Sequence, residues 1–174
     1  MTTIDPKPTI LITTYLEMTS PSDFIPSYVE NHLVRIEHLQ SVDVDFYLYM
    51  YRAVGEALAW RDRVLMPKDE LREILAQALV YVMYLGGIPV GYIELEVQGE
   101  DIEIAYFGLL DAYHGLGLGK HLLSYGIERA WNMGPQRVYV HTCNLDGEHA
   151  MSNYSKRGFK VYKQHEEPMP ERYG

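Results

Sequence analysis

The sequence predicts an α/β fold, one mixed and mostly antiparallel sheet with helices packed on both faces, and three observations carry that prediction. First, three β-rich runs follow one another with short turns between them. They are Leu79 to Leu85, Pro89 to Val97 and Ile102 to Leu110, with Gly86-Gly87 and Gln98 to Asp101 at the turns, and two successive hairpins impose antiparallel order. Second, the period then changes: Leu118, Leu122, Gly126 and Ala130, joined by Leu123, Ile127 and Trp131, mark a helix that Gly134-Pro135 ends. Third, a strand from Arg137 to Thr142, a helix from Gly147 to Lys156 and a strand from Phe159 to Lys163 continue the alternation.

The first third is harder to read. Thr9 to Met18 is β-rich, Pro21 to Pro26 reads as a loop, and Leu33 to Leu39 places Val34, Ile36 and His38 against Arg35 and Glu37, the period of a half-buried strand. Asp43 or Asp45 would cap a helix with Phe46, Met50 and Val54 on one face, and a short helix is expected near Pro67, with Asp69 and Glu70 at the positive end of its dipole. The polar tail from Glu166 to Gly174 is expected to be loose.

A chain of 174 residues is the size of one domain, so a single domain is expected, divided into acceptor-side elements over 1–78, a core over 79–165 and the tail. Apolar and charged shares of 47% and 22% are those of a globular protein, and no run of apolar residues is long enough for a membrane span. Met1 to Pro8 lacks the apolar core of a secretory signal, and the lone Cys143 excludes an internal disulfide, so the cytoplasm is the expected compartment. The net charge of −9 opposes nucleic-acid binding and suits a cationic partner such as an amine. None of the seven histidines falls in a metal-ligand spacing, so no metal is expected.

The chemistry is concentrated in Leu109-Leu110-Asp111-Ala112-Tyr113-His114-Gly115-Leu116-Gly117-Leu118-Gly119-Lys120. A strand runs into three alternate glycines and then a helix, so unhindered backbone N–H groups point at the positive end of a helix dipole, where phosphate binds. A dinucleotide fingerprint needs glycine where Lys120 stands, and a P-loop needs Ser or Thr where His121 stands, so both nucleotide readings fail. The alternative without a ligand is a tight turn with close helix packing.

This segment resembles the pyrophosphate loop of the GNAT superfamily of N-acetyltransferases, with Gly117 and Gly119 matching and His114 standing where the family has Gln or Arg. Asn144, Ala150, Tyr154, Gly158 and Phe159 resemble the family's second motif, and the likeness runs from Leu79 onward. Ala105 to Leu109, Ala130-Trp131 and His141 to Cys143 are similar to a bacterial subgroup of uncharacterised acetyltransferases. The resemblance implies a three-layer α/β/α sandwich that splays between the strands ending near Leu110 and Thr142, and acetyl-CoA as the acetyl donor. It also implies that the backbone of Leu109 and Leu110 holds the thioester and pantetheine. His114, Gly115, Leu116, Gly117, Leu118, Gly119 and Lys120 would hold the pyrophosphate, with Asn144 among the donor contacts.

An acetyl transfer to an amine needs a base for the amine and an acid for the thiolate. Tyr154 occupies the family position of the acid, and its alternative is an ordinary core tyrosine. Glu103, eleven residues before His114, has the spacing of the catalytic glutamate in the histone-acetylating branch; desolvation on its strand would raise its pKa, whereas a place at the hairpin rim would leave it solvated. Glu94 and Glu96 are the reserve, acting through water or holding an ammonium group. His141 is a further candidate base or a structural histidine, and Cys143 is read as a small buried residue. Tyr47, Tyr51, Arg52 and Trp60 are candidates for the acceptor side, against the alternative that an aromatic stripe at helical spacing is core. The expected function is direct transfer of an acetyl group to a primary amine, small molecule or peptide, in a ternary complex, with a non-catalytic acyl-CoA sensor as the alternative. A homodimer is left open.

Overall fold

The computed structural model describes residues 6–147 and 149–173. Most of the leader expectation, Met1 to Asp5, lies outside these residues, as do Glu148 of the expected helix and Gly174 of the tail. Seven strands form one sheet: β1 (Ile10–Met18), β2 (Val34–His38), β3 (Leu79–Leu85), β4 (Ile88–Gln98), β5 (Asp101–Leu109), β6 (Arg137–Cys143) and β7 (Lys160–Pro168). Their order is β2-β3-β4-β5-β6-β1-β7. All neighbours are antiparallel except β5 and β6, which are joined by the crossover helix α4 (Leu118–Asn132) and run parallel, as a crossover requires.

The strand period of two sorts the side chains into two cores. On one face Tyr81, Met83, Ile93, Leu95, Ile102 and Ile104 pack against Leu118, Leu122, Leu123, Ile127 and Ala130 of α4 and Tyr154 of α5 (His149–Lys156). On the other, Val80, Val82 and Tyr92 pack against α1 (Val44–Gly55) and α3 (Lys68–Gln77), which contribute Tyr47, Leu48, Tyr51, Leu71 and Leu75. This is the expected three-layer sandwich. Asp43 caps α1, its Oδ1 accepting from Phe46 N at 2.8 Å. The buried stripe of α1 is wider than Met50 and Val54, and Phe46 is only half-buried, because the helix leans on both the sheet and α3.

The chain from Pro21 to Val29 is a strap across α4 and α5 rather than a free loop. Ile25 N donates to Arg157 O at 2.9 Å, Ser27 N to Ser124 Oγ at 2.9 Å and Val29 N to His121 Nδ1 at 3.0 Å. The tail corrects another expectation. β7 continues through Glu166 to Pro168 along β1, and Arg172 reaches Asp62 with Nε 3.1 Å from Oδ1. As an exposed edge strand β7 carries no apolar alternation, which is why its second half reads as loop.

Candidate active site

The splay at the centre of the sheet comes from where the strand pairing stops. β5 and β6 pair only over Asp101–Ile104 with Arg137–Val140, and beyond that the two strands part. A cleft of about 1110 Å³ runs through the gap and is bordered by both helical layers. Leu110 N donates to Val90 O at 2.8 Å, so the backbone groups of Gly108 and Leu110 face β4 while those of Phe107 and Leu109 face the gap.

At one end of the cleft stands the glycine loop. Gly117 is the N-cap of α4 with φ 76° and offers no side-chain hydrogen bond, so the first-turn amides of Leu118, Gly119 and Lys120 receive no side-chain cap from it. No acidic side chain occupies that first turn. A Cβ at Gly117 would lie 2.8 Å from Val29 Cγ1 in the strap and 3.2 Å from Lys120 Cε, so only glycine fits both the left-handed backbone and the space. Lys120 thus folds back over the loop and adds its charge to the helix dipole. These features match a phosphate-bearing ligand.

The expected donor contacts divide. Leu109, His114, Gly115, Gly117, Gly119 and Lys120 all border the cleft. His114 Nε2 donates to Leu109 O at 3.2 Å, a contact that ties the loop to the end of β5. Leu110, Leu116, Leu118 and Asn144 are not among the bordering residues. Leu118 is buried in the core under α4, Leu116 is exposed, and Leu110 has its amide on Val90 and its carbonyl on Tyr113 N, so only the first-turn amide of Leu118 remains relevant. Asn144 is corrected outright. Its Oδ1 accepts from Ile12 N at 3.0 Å and its Nδ2 donates to Ile10 O at 2.9 Å, so the side chain extends the pairing of β6 with β1 and is spent there.

Tyr154 and Glu103 approach the gap from opposite layers. Tyr154 packs between Phe107 and Phe159 on the α4–α5 side, and burial, with Asp146 nearby, pushes its phenol far above the ordinary value. The hydroxyl therefore stays protonated, as a hydrogen-bond donor must. Glu103 is on the α1–α3 side with its side chain 16% exposed, so it is not a solvated rim residue. His141 Nδ1 lies 3.4 Å from Glu103 Oε1, and that partner raises the histidine above its ordinary pKa. His141 is the more open of the two, and Cys143, two residues on, also borders the cleft with its thiol pushed up by burial and Asp146.

The α1–α3 side of the cleft holds a charged group that the sequence does not announce. Arg63, from the short helix α2 (Asp62–Leu65), has Nη2 2.8 Å from Glu94 Oε2 and 2.9 Å from Glu96 Oε1. Tyr47 donates to the other oxygen of Glu94, which is fully buried and away from the cleft, whereas Glu96 borders it. Trp60 folds back on α1, a position open to it because a Cβ at Gly55 would lie 2.3 Å from the indole. Its ring meets Tyr51 and Tyr106 at centroid distances of 5.4 and 5.1 Å, and all three border the cleft. Tyr51 and Trp60 of the acceptor candidates thus reach the cleft; Tyr47 is core and Arg52 faces outward.

A glycine-cradled helix N-terminus beside splayed strands agrees with the comparison of whole sequences, in which the profile of the Acetyltransferase (GNAT) family matches residues 45–159. The chain belongs to the GNAT family. Among GNAT relatives it is similar to mycothiol acetyltransferase of Corynebacterium efficiens, 28% identical over 121 residues, which are 66% of this chain and 40% of that protein. The chain thus spans less than half of that relative. The GNAT fold is shared with a conserved protein of unknown function from Staphylococcus epidermidis at TM-score 0.68, with 18% identity over 90% of this chain and 60% of that one. It is shared also with a Bacillus subtilis acetyltransferase solved in complex with CoA, at TM-score 0.59 and 23% identity over 75% of this chain and 78% of that one. Among the described residues no helix is long and apolar enough to cross a membrane.

Proposed function

We propose that the protein is an acetyl-CoA-dependent N-acetyltransferase whose acceptor is a cationic primary amine. The observation that carries the reading is the continuity of one cleft from the uncapped N-terminus of α4, through the gap between β5 and β6, to the Glu103–His141 pair. Membership of the GNAT family supports it, as does the fold shared with the CoA-bound Bacillus subtilis protein.

The first-turn amides of α4, Gly117 and Lys120 would hold the diphosphate, and the Leu109 backbone facing the gap would hold the pantetheine arm. Bound acetyl-CoA supplies an acyl group already activated as a thioester. The amine enters from the α1–α3 side, where Asp62, Glu96 and Glu103 provide negative charge and the guanidinium of Arg63 is already matched by Glu94 and Glu96. The ammonium first gives up one proton to solvent, and as the neutral amine forms the new C–N bond Glu103 and His141 act as one proton acceptor: His141 receives the second proton from the nitrogen, and Glu103 orients the ring and stabilises its charge. Across the gap the sulfur takes the electron pair of the broken C–S bond and the proton of the Tyr154 hydroxyl, which solvent restores as CoA leaves.

The test is thiol release from acetyl-CoA in the presence of a panel of mono- and polycationic amines. The reading expects amine-dependent release that Tyr154→Phe impairs without loss of acetyl-CoA binding. Binding with no release for any cationic amine would contradict it and leave a non-catalytic acyl-CoA sensor.

A further inference from the structure

Resting on the acetyl-CoA reading, we propose that Arg157 is a phosphate-binding residue for the nucleotide end of the donor. Arg157 follows α5 directly and is 7% exposed, yet its Nε and Nη1 are sealed from solvent with no hydrogen-bond partner among the described residues. Arg63 makes the contrast: it is 6% exposed and has a carboxylate at 2.8 Å and another at 2.9 Å. A buried guanidinium without a counter-charge is among the costlier features a fold can retain. Burial accordingly lowers its pKa from the ordinary guanidinium value.

The position is fixed as well as costly. Ile25 N from the strap donates to Arg157 O at 2.9 Å, and the next residue, Gly158, has φ 107° with a Cβ position only 2.0 Å from Asp23 O. The strap and the glycine therefore set the backbone at Arg157, and the residue borders the same cleft as the glycine loop. Asn153, one helical turn earlier, has Nδ2 3.8 Å from the Cβ position of Gly119. Arg157 N donates to Asn153 O at 3.1 Å, so the backbone of Arg157 lies about one turn beyond the place where α5 meets the loop. The α4 amides and Lys120 already serve one anionic group there. A planar guanidinium carried by a residue one turn away suits a second, and the ribose 3′-phosphate of CoA is the group within one sugar ring of the diphosphate.

The experiment is calorimetric titration of CoA and 3′-dephospho-CoA into wild type, Arg157→Gln and Arg157→Lys, with thermal melts of each ligand-free protein. Arg157→Gln is expected to weaken CoA binding by about 10-fold to 100-fold, and Arg157→Lys to restore part of it. If the 3′-phosphate is the partner, wild type loses a similar factor on 3′-dephospho-CoA and Arg157→Gln no longer distinguishes the two ligands. If the diphosphate is the partner, Arg157→Gln loses equally on both, and either pattern supports the proposal. The ligand-free Arg157→Gln should melt no lower than wild type, since it removes an unmatched buried cation. CoA binding by Arg157→Gln equal to that of wild type overturns the proposal alone, as does a large drop in its ligand-free melting temperature, which would make Arg157 structural. Wild type that binds neither ligand overturns the acetyl-CoA reading and this inference with it.

Discussion

Glu96 and Glu103 stand directly opposite each other on β4 and β5, and each has a different basic partner: Arg63 Nη2, shared with Glu94, is 2.9 Å from Glu96, and His141 Nδ1 is 3.4 Å from Glu103. Like charges in facing register destabilise a sheet, and a chain selected for stability alone would replace one of them. Their place beside the gap, with a titratable histidine as the partner of one, suits the proton-accepting site proposed for a cationic substrate.

The pH dependence of turnover follows from that pair. Glu103 is the main cause of the raised pKa of His141, so the ring loses its proton, and becomes a base, only above its ordinary 6.5. The rate kcat/KM should rise with pH through an inflection above that value. In Glu103→Gln the raising partner is gone and burial, which favours the neutral ring, remains; the inflection should move down while the plateau falls. A pH–rate profile for both proteins checks this, and an unmoved inflection would remove His141 from the proton path.

Tyr154→Phe removes a protonated phenol without changing its packing against Phe107 and Phe159. We expect kcat to fall by about 100-fold, the scale of general acid catalysis, with acetyl-CoA affinity within about twofold of wild type. Steady-state kinetics together with a binding titration would show it. A proportional loss of affinity would instead mark Tyr154 as a binding residue.

The buried ion pair makes a stability prediction with a definite sign. Burial pushes Glu94 from its ordinary 4.5 up to about 7. Between those values the folded chain holds a proton that the unfolded chain has released, so this group's contribution to stability declines as pH rises from about 4.5 to about 7 and then levels off. Arg63→Met leaves Glu94 without its cation, which should cost about 3–5 kcal/mol above pH 7 and less at pH 5, where the carboxyl is neutral. Urea unfolding at the two pH values, with Glu94→Gln as the reference in which this carboxyl cannot titrate, provides the measurement.

How far the sequence reveals this site depends on how local each feature is. The β3–β5 meander, α4, β6 and α5 are readable because each repeats its apolar residues at its own period, and the loop is readable because three glycines before a helix have few other uses. Arg63 is not readable: it sits on a four-residue helix and meets partners 31 and 33 residues away, a pairing that only the tertiary fold brings about. The role of His141 depends on β6 lying parallel beside β5, which no periodicity announces. Asn144 misleads for the opposite reason. Its motif position suggests a ligand contact, while the unpaired backbone at the start of β1 takes both ends of its amide. Arg157 hides in a basic pair at the end of a helix, where a solvated charge matching the dipole is the ordinary reading.

Donor binding at the N-terminus of α4 is measured by calorimetric titration of acetyl-CoA into wild type and into a Gly117→Trp variant shown by circular dichroism to be folded. The indole would obstruct the cradle at the N-terminus of α4, where even a Cβ would lie 2.8 Å from Val29. Saturable binding of one acetyl-CoA per wild-type chain, and its loss in the variant, are expected. No binding by wild type, or equal binding by both proteins, would contradict donor binding at that site.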